Sequence, residues 1–189
     1  LMATEFTAGG LAAGERCLLL AFEESRDQFI RNARGWGVEY EPAEAGGALQ
    51  IRCDYPEAAG LEDHLVRIKE AIDAFRPQRV ALDSLTALER VASPRGFREF
   101  VIGLTSFIKE REIAGLFTAS IPSLMGGASV TEAHISTLTD SIILLRYVEM
   151  GGEVQRGLTV LKMRGAAHER SIRQFTIDQR GMHIGAPFR

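Results

Sequence analysis

The chain has 189 residues, of which 46% are hydrophobic, so it is long enough and apolar enough to bury a sizeable core. Its formal net charge of −3 at pH 7 gives no basic footprint and argues against an obligate nucleic-acid binder. No apolar run approaches the roughly 18 residues of a membrane span, and no signal peptide is visible, so the sequence predicts a cytoplasmic protein.

The first two thirds of the sequence alternate between buried strands and amphipathic helices. Short apolar runs bounded by polar residues predict the strands, and apolar residues at spacings of three and four predict the helices. The predicted elements are, in chain order, a helix at 1–11, a strand at 17–22, a helix at 25–36, a strand at 49–53, a helix at 61–75, a strand at 79–82, a helix at 97–111 and a strand at 114–119.

The last third reads as a loop followed by consecutive strands. Proline, glycine and hydroxyl residues mark a loop at 120–133. Strands are predicted at 141–150 and 158–163, and a closing hairpin at 171–177 and 182–184. The whole pattern predicts an α/β fold with a mostly parallel sheet flanked by helices and an antiparallel C-terminal extension, in a single domain over residues 1–189.

Two of the predicted parallel strands end in acid. Glu23 and Glu24 follow the first strand, and Asp83 with Ser84 follows the third. Parallel strands bring their carboxyl ends to one edge, where open α/β sheets bind ligands. An Asp at the end of such a strand suits Mg²⁺ in a nucleotide site, and a neighbouring Glu suits a general base. Strands also end in acidic residues simply because loops are polar, so one such strand end alone is weak support for a nucleotide site.

A nucleotide site of this kind needs a phosphate cradle, Gly-x-x-x-x-Gly-Lys-Ser/Thr, on the turn into its first helix. Residues 1–189 contain no such motif, and the helix at 1–11 has no start signal. We therefore expect the chain to begin inside an element, with the cradle just before Leu1. Without a cradle, this chain alone is expected to be inactive.

Two further clusters carry chemistry. Lys162 and Arg164 share one face of a strand by its period of two, and His168 follows in the next loop. Paired cations suit phosphate recognition, although a solvated strand edge would look the same. Hydroxyl residues are dense at 131–140, where Ser136 or Thr137 would by the plainest interpretation cap a short helix.

These clusters, in this order, resemble the KaiC family of circadian-clock ATPases and autokinases, within the RecA-like P-loop superfamily. The resemblance is to the second, C-terminal repeat and covers essentially the whole chain. The segments that carry it are 21–26, 31–37, 55–64, 82–88, 100–105, 134–140 and 162–165.

The resemblance implies a RecA-like fold and a homohexameric ring with ATP and Mg²⁺ at the subunit interfaces. It assigns the general base to Glu23, with Glu24 assisting, and it assigns Mg²⁺ to Glu23, Glu24 and Asp83. It makes Ser136 and Thr137 the paired phosphoacceptors, with Thr131 as a nearby participant in phosphate transfer. The remaining residues that it assigns to nucleotide binding are Leu1, Trp36, Arg156, Lys162, Met163, Arg164 and His168.

The same resemblance leaves partners and function partly open. Possible partners are other copies of the chain and proteins of the KaiA and KaiB types. One alternative function is a RecA-family DNA-dependent ATPase, but its candidate DNA loop at 120–133 has no Lys or Arg and carries Glu132. The other alternative is a non-enzymatic ring or interaction module, which only the missing cradle favours.

Overall fold

The computed structural model describes residues 1–120 and 137–188. The chain divides into two compact units, residues 1–120 and residues 121–189. The first unit contains α1 Met2–Ala12, β1 Cys17–Ala21, α2 Arg26–Gly35, α3 Glu41–Ala45, β2 Leu49–Cys53, a short 3₁₀ helix Pro56–Ala58, α4 Leu61–Phe75, β3 Arg79–Asp83, α5 Leu85–Arg90, α6 Pro94–Glu110 and β4 Ala114–Phe117. The described part of the second unit contains β5 Ser141–Met150, β6 Glu153–Met163, β7 Arg173–Asp178 and β8 Gly181–Pro187.

The first unit is built on a parallel sheet with the strand order β2-β1-β3-β4. The central strand β1 is buried along its whole length, as expected for a strand covered on both faces. Its register places Cys17 opposite Arg79 and Ala21 opposite Asp83. The predicted α/β class with a parallel sheet and antiparallel C-terminal strands is therefore confirmed, with the antiparallel strands in a sheet of their own.

Helices cover both faces of the parallel sheet. On one face, Leu19 and Ala21 pack in a core with Ala3 of α1 and with Phe29 and Ala33 of α2. Leu20 points to the other face because side chains alternate along a strand. There it lines a small cavity with residues of α4, among them His64 and Ile68. The core of the unit is thus two apolar layers divided by the sheet.

The helix ends follow from local sequence signals. The Ser25 hydroxyl accepts a hydrogen bond from Gln28 N at 3.3 Å and so caps α2. Ser93 caps α6 in the same way, at 3.1 Å from Gly96 N, with Pro94 in the first helical turn. The predicted start of α6 at residue 97 is therefore wrong, because the cap sets the start at Pro94.

The C-terminal strands form an antiparallel sheet with the order β5-β6-β7-β8. Gly151 and Gly152 join β5 to β6 with φ values of 61° and 80°, as a two-residue hairpin turn requires. This turn pairs Met150 with Glu153, so β6 begins at Glu153 and not at the predicted residue 158. The predicted loop at 120–133 lies outside the described residues, apart from Ser120. No helix in the described ranges is long and apolar enough to cross a membrane.

Helix α1 approaches the sheet closely at Gly10. A methyl group on Gly10 would lie 2.6 Å from both Arg79 Cδ and Cys17 Sγ. Arg79 has little freedom to move aside, because its guanidinium pairs with the Glu15 carboxylate and donates to Phe6 O at 3.0 Å. At the neighbouring Gly9 the nearest atom to an added methyl group is Arg79 Nη1, at an ordinary 3.6 Å.

The two glycines give a matched test of this packing. We expect Gly10→Ala to lower the free energy of unfolding by about 1–3 kcal/mol, because the methyl group overpacks the contact with Arg79 and Cys17. Gly9→Ala should instead raise it by up to about 1 kcal/mol, since alanine favours a helix over glycine. Urea unfolding of both variants measures the difference, and equal stabilisation by the two would contradict the close approach.

Candidate nucleotide site

The sheet brings the three predicted acids to one edge. β1 and β3 are hydrogen-bonded neighbours, and beyond the last pair Phe22 N donates to Asp83 O at 2.8 Å. Glu23 and Glu24 therefore leave β1 beside the residue that ends β3. The peptide bond between Asp83 and Ser84 is cis. This edge is the ligand-binding edge of parallel α/β sheets.

Glu23 has a hydrogen-bond donor on each carboxylate oxygen. The buried Ser84 hydroxyl donates to Oε2 at 3.0 Å, and Arg90 Nη2 donates to Oε1 at 2.7 Å. Both donors follow β3 in the sequence. The segment after β3, which is α5 and its N-cap, therefore holds the Glu23 side chain that follows β1. The Glu23 side chain is 42% exposed and thus open to a ligand.

Glu24 turns toward a different element. Asn32 Nδ2 lies 3.2 Å from Glu24 Oε1 and 3.4 Å from Oε2, so α2 holds this carboxylate from its middle turn. The cap at Ser25 fixes where α2 starts and thereby brings Asn32 within reach. The two adjacent glutamates are consequently held apart by separate partners.

Asp83 is held from β4 and lies beside the start of α1. The Thr118 hydroxyl donates to Asp83 Oδ1 at 2.6 Å, while Thr118 N donates to Leu82 O at 3.0 Å. The charges of Asp83 and Glu24 act on the backbone at Leu1. Leu1, the capping position of α1, is therefore placed at the same acidic edge.

Trp36 lies at the far end of α2 from Ser25, directly after the last residue of that helix. It is one helical turn beyond Asn32, which holds the Glu24 carboxylate. It is half-buried.

In the second unit, two predicted cations contact the predicted acceptor segment. Lys162 Nζ donates to Thr139 O at 2.7 Å, and Arg164 Nη2 donates to Thr137 O at 2.8 Å. Arg164 also donates its backbone N–H to Asp140 O at 2.8 Å and approaches Asp140 Oδ1 at 3.5 Å. The structure thus joins the second and third sequence clusters within one chain.

The other predicted residues of this unit are spread along β6 and beyond it. Arg156 is exposed and lies opposite Tyr147 in the register of β5 with β6. Along β6 it is six residues, or roughly 20 Å, from Lys162. Met163 ends β6 and is 38% exposed, and His168 is half-buried in the following segment. The predicted acceptor Ser136 and the nearby Thr131 lie outside the described residues.

Several contacts of the site escaped the sequence analysis. Asn32, Arg90 and Thr118 each donate to one of the predicted acids. Arg90 ends a helix of only six residues, too short to show a periodic pattern. Thr118 lies at the end of a predicted strand, and this position at the ligand edge was the one available signal for it.

The donor set at this edge consists of carboxylate and hydroxyl oxygens. Within residues 1–120 and 137–188, no group of three His, Cys, Asp or Glu side chains converges as a metal cluster. The three acids therefore share an edge without forming a closed set of ligands.

Comparison with known proteins gives one consistent result. The family model described as "ATPase: KaiC" matches residues 1–188. A "Circadian clock protein KaiC3" of Synechocystis is 64% identical over all 189 residues, which cover 37% of that protein. "Circadian clock oscillator protein KaiC" of Thermosynechococcus vestitus is 51% identical, and that of Synechococcus elongatus is 50% identical; the chain covers 36% of each. The chain thus spans just over a third of the length of these relatives.

The contribution of the hydrogen bond from Thr118 to Asp83 can be tested by measuring the free energy of unfolding of variants at Thr118. Thr118→Val keeps the shape of the side chain but leaves the part-buried Asp83 carboxylate without this donor. We expect it to lower the free energy of unfolding by about 1–3 kcal/mol, whereas Thr118→Ser keeps the hydroxyl and should cost less. Urea unfolding of both variants tests this, and an equal loss in the two would show that the bond contributes nothing.

Proposed function

The chain belongs to the KaiC ATPase family, and on that premise we propose that residues 1–189 form one ATP-binding domain of a circadian-clock protein that hydrolyses ATP and phosphorylates its own serine and threonine residues. The observation that carries this proposal is the meeting of Glu23, Glu24 and Asp83 at the carboxyl edge of a parallel sheet. The family match runs through both compact units, which supports one functional domain.

The start of α1 is the place for the ATP phosphates. A helix N-terminus carries partial positive charge and free N–H groups, which bind phosphate. Leu1 stands at the N-cap position of α1, close to the charges of Asp83 and Glu24, so phosphates at the start of the helix would lie next to these acids.

The acidic edge fits Mg²⁺. This ion prefers oxygen ligands and commonly binds one or two carboxylates together with substrate phosphates and water. Asp83 would be the direct ligand, because Thr118 occupies only one of its oxygens, with Glu23 and Glu24 supporting from the same edge. When bound, the ion neutralises charge on the phosphates during transfer.

Glu23 is the general base of the proposed reaction. Its carboxylate accepts the proton of a Ser136 or Thr137 hydroxyl, or of a water molecule. The oxygen that loses the proton forms a bond to the γ-phosphorus, and the bond from that phosphorus to the β–γ bridging oxygen breaks, so ADP leaves with the bonding electrons. The product is a phosphoserine or phosphothreonine, or free phosphate when water is the nucleophile.

A ring of identical subunits would complete the site. We propose a homohexamer in which one subunit presents its acceptor segment to the ATP of its neighbour. Lys162 and Arg164 already contact the carbonyl oxygens of Thr139 and Thr137, so the cations and the acceptor segment would arrive together. Opposite charge near the transferring phosphate lowers the barrier to transfer. The other residues proposed for nucleotide contact are Trp36, Arg156, Met163 and His168, with Thr131 taking part in phosphate transfer.

Partners beyond the ring follow from the family resemblance alone. We propose that proteins of the KaiA and KaiB types act on this domain, because the relatives named above are clock proteins. A phosphate on Ser136 or Thr137 adds a charge of about −1.5 to −2 close to Asp140, so repulsion would reshape the segment that such partners or neighbouring subunits contact.

The acceptor assignment has a direct test. In the full-length protein, the double variant Ser136→Ala with Thr137→Ala should incorporate no ³²P from γ-labelled ATP, because both proposed acceptor hydroxyls are gone. ATP hydrolysis should remain measurable, since water can still act as the nucleophile.

Ser141→Ala is the matched control, since Ser141 is an exposed hydroxyl at the start of β5, only a few residues farther along the chain. It should label as the wild type does. Undiminished labelling of the double variant would overturn the assignment of both acceptors.

A further inference from the structure

Arg90 is a residue of the acidic edge that the family resemblance did not single out. It is the last residue of α5, and its Nη2 donates to Glu23 Oε1 at 2.7 Å across a sequence separation of 67 residues. Ser84, at the start of the same helix, donates to the other carboxylate oxygen. One short helix therefore holds both oxygens of Glu23, one from each of its ends.

The backbone of α5 is fixed although the Arg90 side chain is exposed. Leu85, Ala87 and Leu88 are buried, and α5 packs against α6. Leu85 N donates to Thr118 O at 2.8 Å, which ties the start of α5 to the residue that holds Asp83. Arg90 is thus anchored at its Cα while its side chain is 61% exposed.

A single exposed ion pair normally contributes about 0–1 kcal/mol to folding, so stability alone gives little reason for this contact. Its geometry gives a better one. Carboxylate oxygens carry two lone pairs each, so Glu23 can keep both donors and still accept one further proton. With Ser84 on one oxygen and Arg90 on the other, the plane of the carboxylate is fixed.

We propose that Arg90 is a positioning residue that fixes the orientation of the Glu23 carboxylate for proton transfer in phosphoryl transfer and ATP hydrolysis. This inference rests on the proposed function, in which Glu23 is the base. Arg90 acts through Glu23 and not on the ATP itself, so its removal slows the reaction without weakening ATP binding. Small misplacements of a reacting group cost large factors in rate.

The test uses steady-state ATP hydrolysis and ³²P incorporation by the full-length protein. Arg90→Gln should lower kcat by about ten- to a hundred-fold, with KM for ATP changed by less than about twofold. Arg90→Lys keeps a cationic donor and should recover part of the lost rate. Arg95→Gln is the matched control, because Arg95 forms an exposed ion pair with Glu99 on the neighbouring helix α6 and should leave both constants unchanged.

A double-mutant cycle separates positioning from other roles. If Arg90 acts through Glu23, adding Arg90→Gln to Glu23→Gln should cost no further rate, because the base is already lost. Additive losses in the cycle would overturn the proposal. So would a rise in KM at unchanged kcat, which would make Arg90 a ligand of ATP.

Folding and the proposed function are checked in the same experiment. The free energy of unfolding of Arg90→Gln, measured in urea, should match that of Arg95→Gln. A lower rate that comes with a loss of folding would show a structural role for Arg90 and would overturn the positioning proposal. If the wild type neither hydrolyses ATP nor incorporates phosphate, the proposed function fails first and the role of Arg90 fails with it. If the wild type is active and Arg90→Gln is equally active, only the role of Arg90 fails.

Discussion

The parallel pairing of β1 with β3 is the constraint on which the rest of the structure depends. Its register sets Ala21 opposite Asp83, and only this register delivers Glu23 beside the end of β3. A slip of one residue would carry a charged residue from one end of β1, Arg16 or Glu23, into a stretch that is buried on both faces, so the length of the apolar run limits the register. Hydrophobic burial, which carries no chemical information of its own, therefore decides where the carboxylates meet.

Each acid at this edge is held by a different part of the unit. Glu24 depends on Asn32 of α2, Asp83 depends on Thr118 beyond β4, and Glu23 depends on α5. The arrangement of the three carboxylates thus depends on the packing of three strands, β1, β3 and β4, and of two helices, α2 and α5. Glu23 and Asp83 are linked through these partners, because Leu85 N of α5 donates to Thr118 O, whereas Glu24 is held separately from α2.

The sequence predicted much of this fold because burial leaves a local pattern. The apolar runs of β1 and β3 and the periodic α4 were found with bounds close to those observed. The five-residue α3 and six-residue α5 were missed because they are too short to show a period. In the same way, strand-end chemistry predicted the acids, and the strand-end position of Thr118 was the one signal for that partner. Asn32 and Arg90 were not predictable, since their contacts arise only when separate segments pack. The roles that the family resemblance assigns to Trp36 and to the acceptor segment stay predictions.

The central claim is that Glu23 accepts the proton in phosphoryl transfer. The most direct measurement is single-turnover transfer of the γ-phosphate at saturating ATP in the full-length protein carrying Glu23→Gln, with Glu89→Gln on the exposed side of α5 as the control. The account predicts that Glu23→Gln slows transfer by about 10²–10⁴-fold, while Glu89→Gln transfers at the wild-type rate. Transfer by Glu23→Gln at the wild-type rate would contradict it.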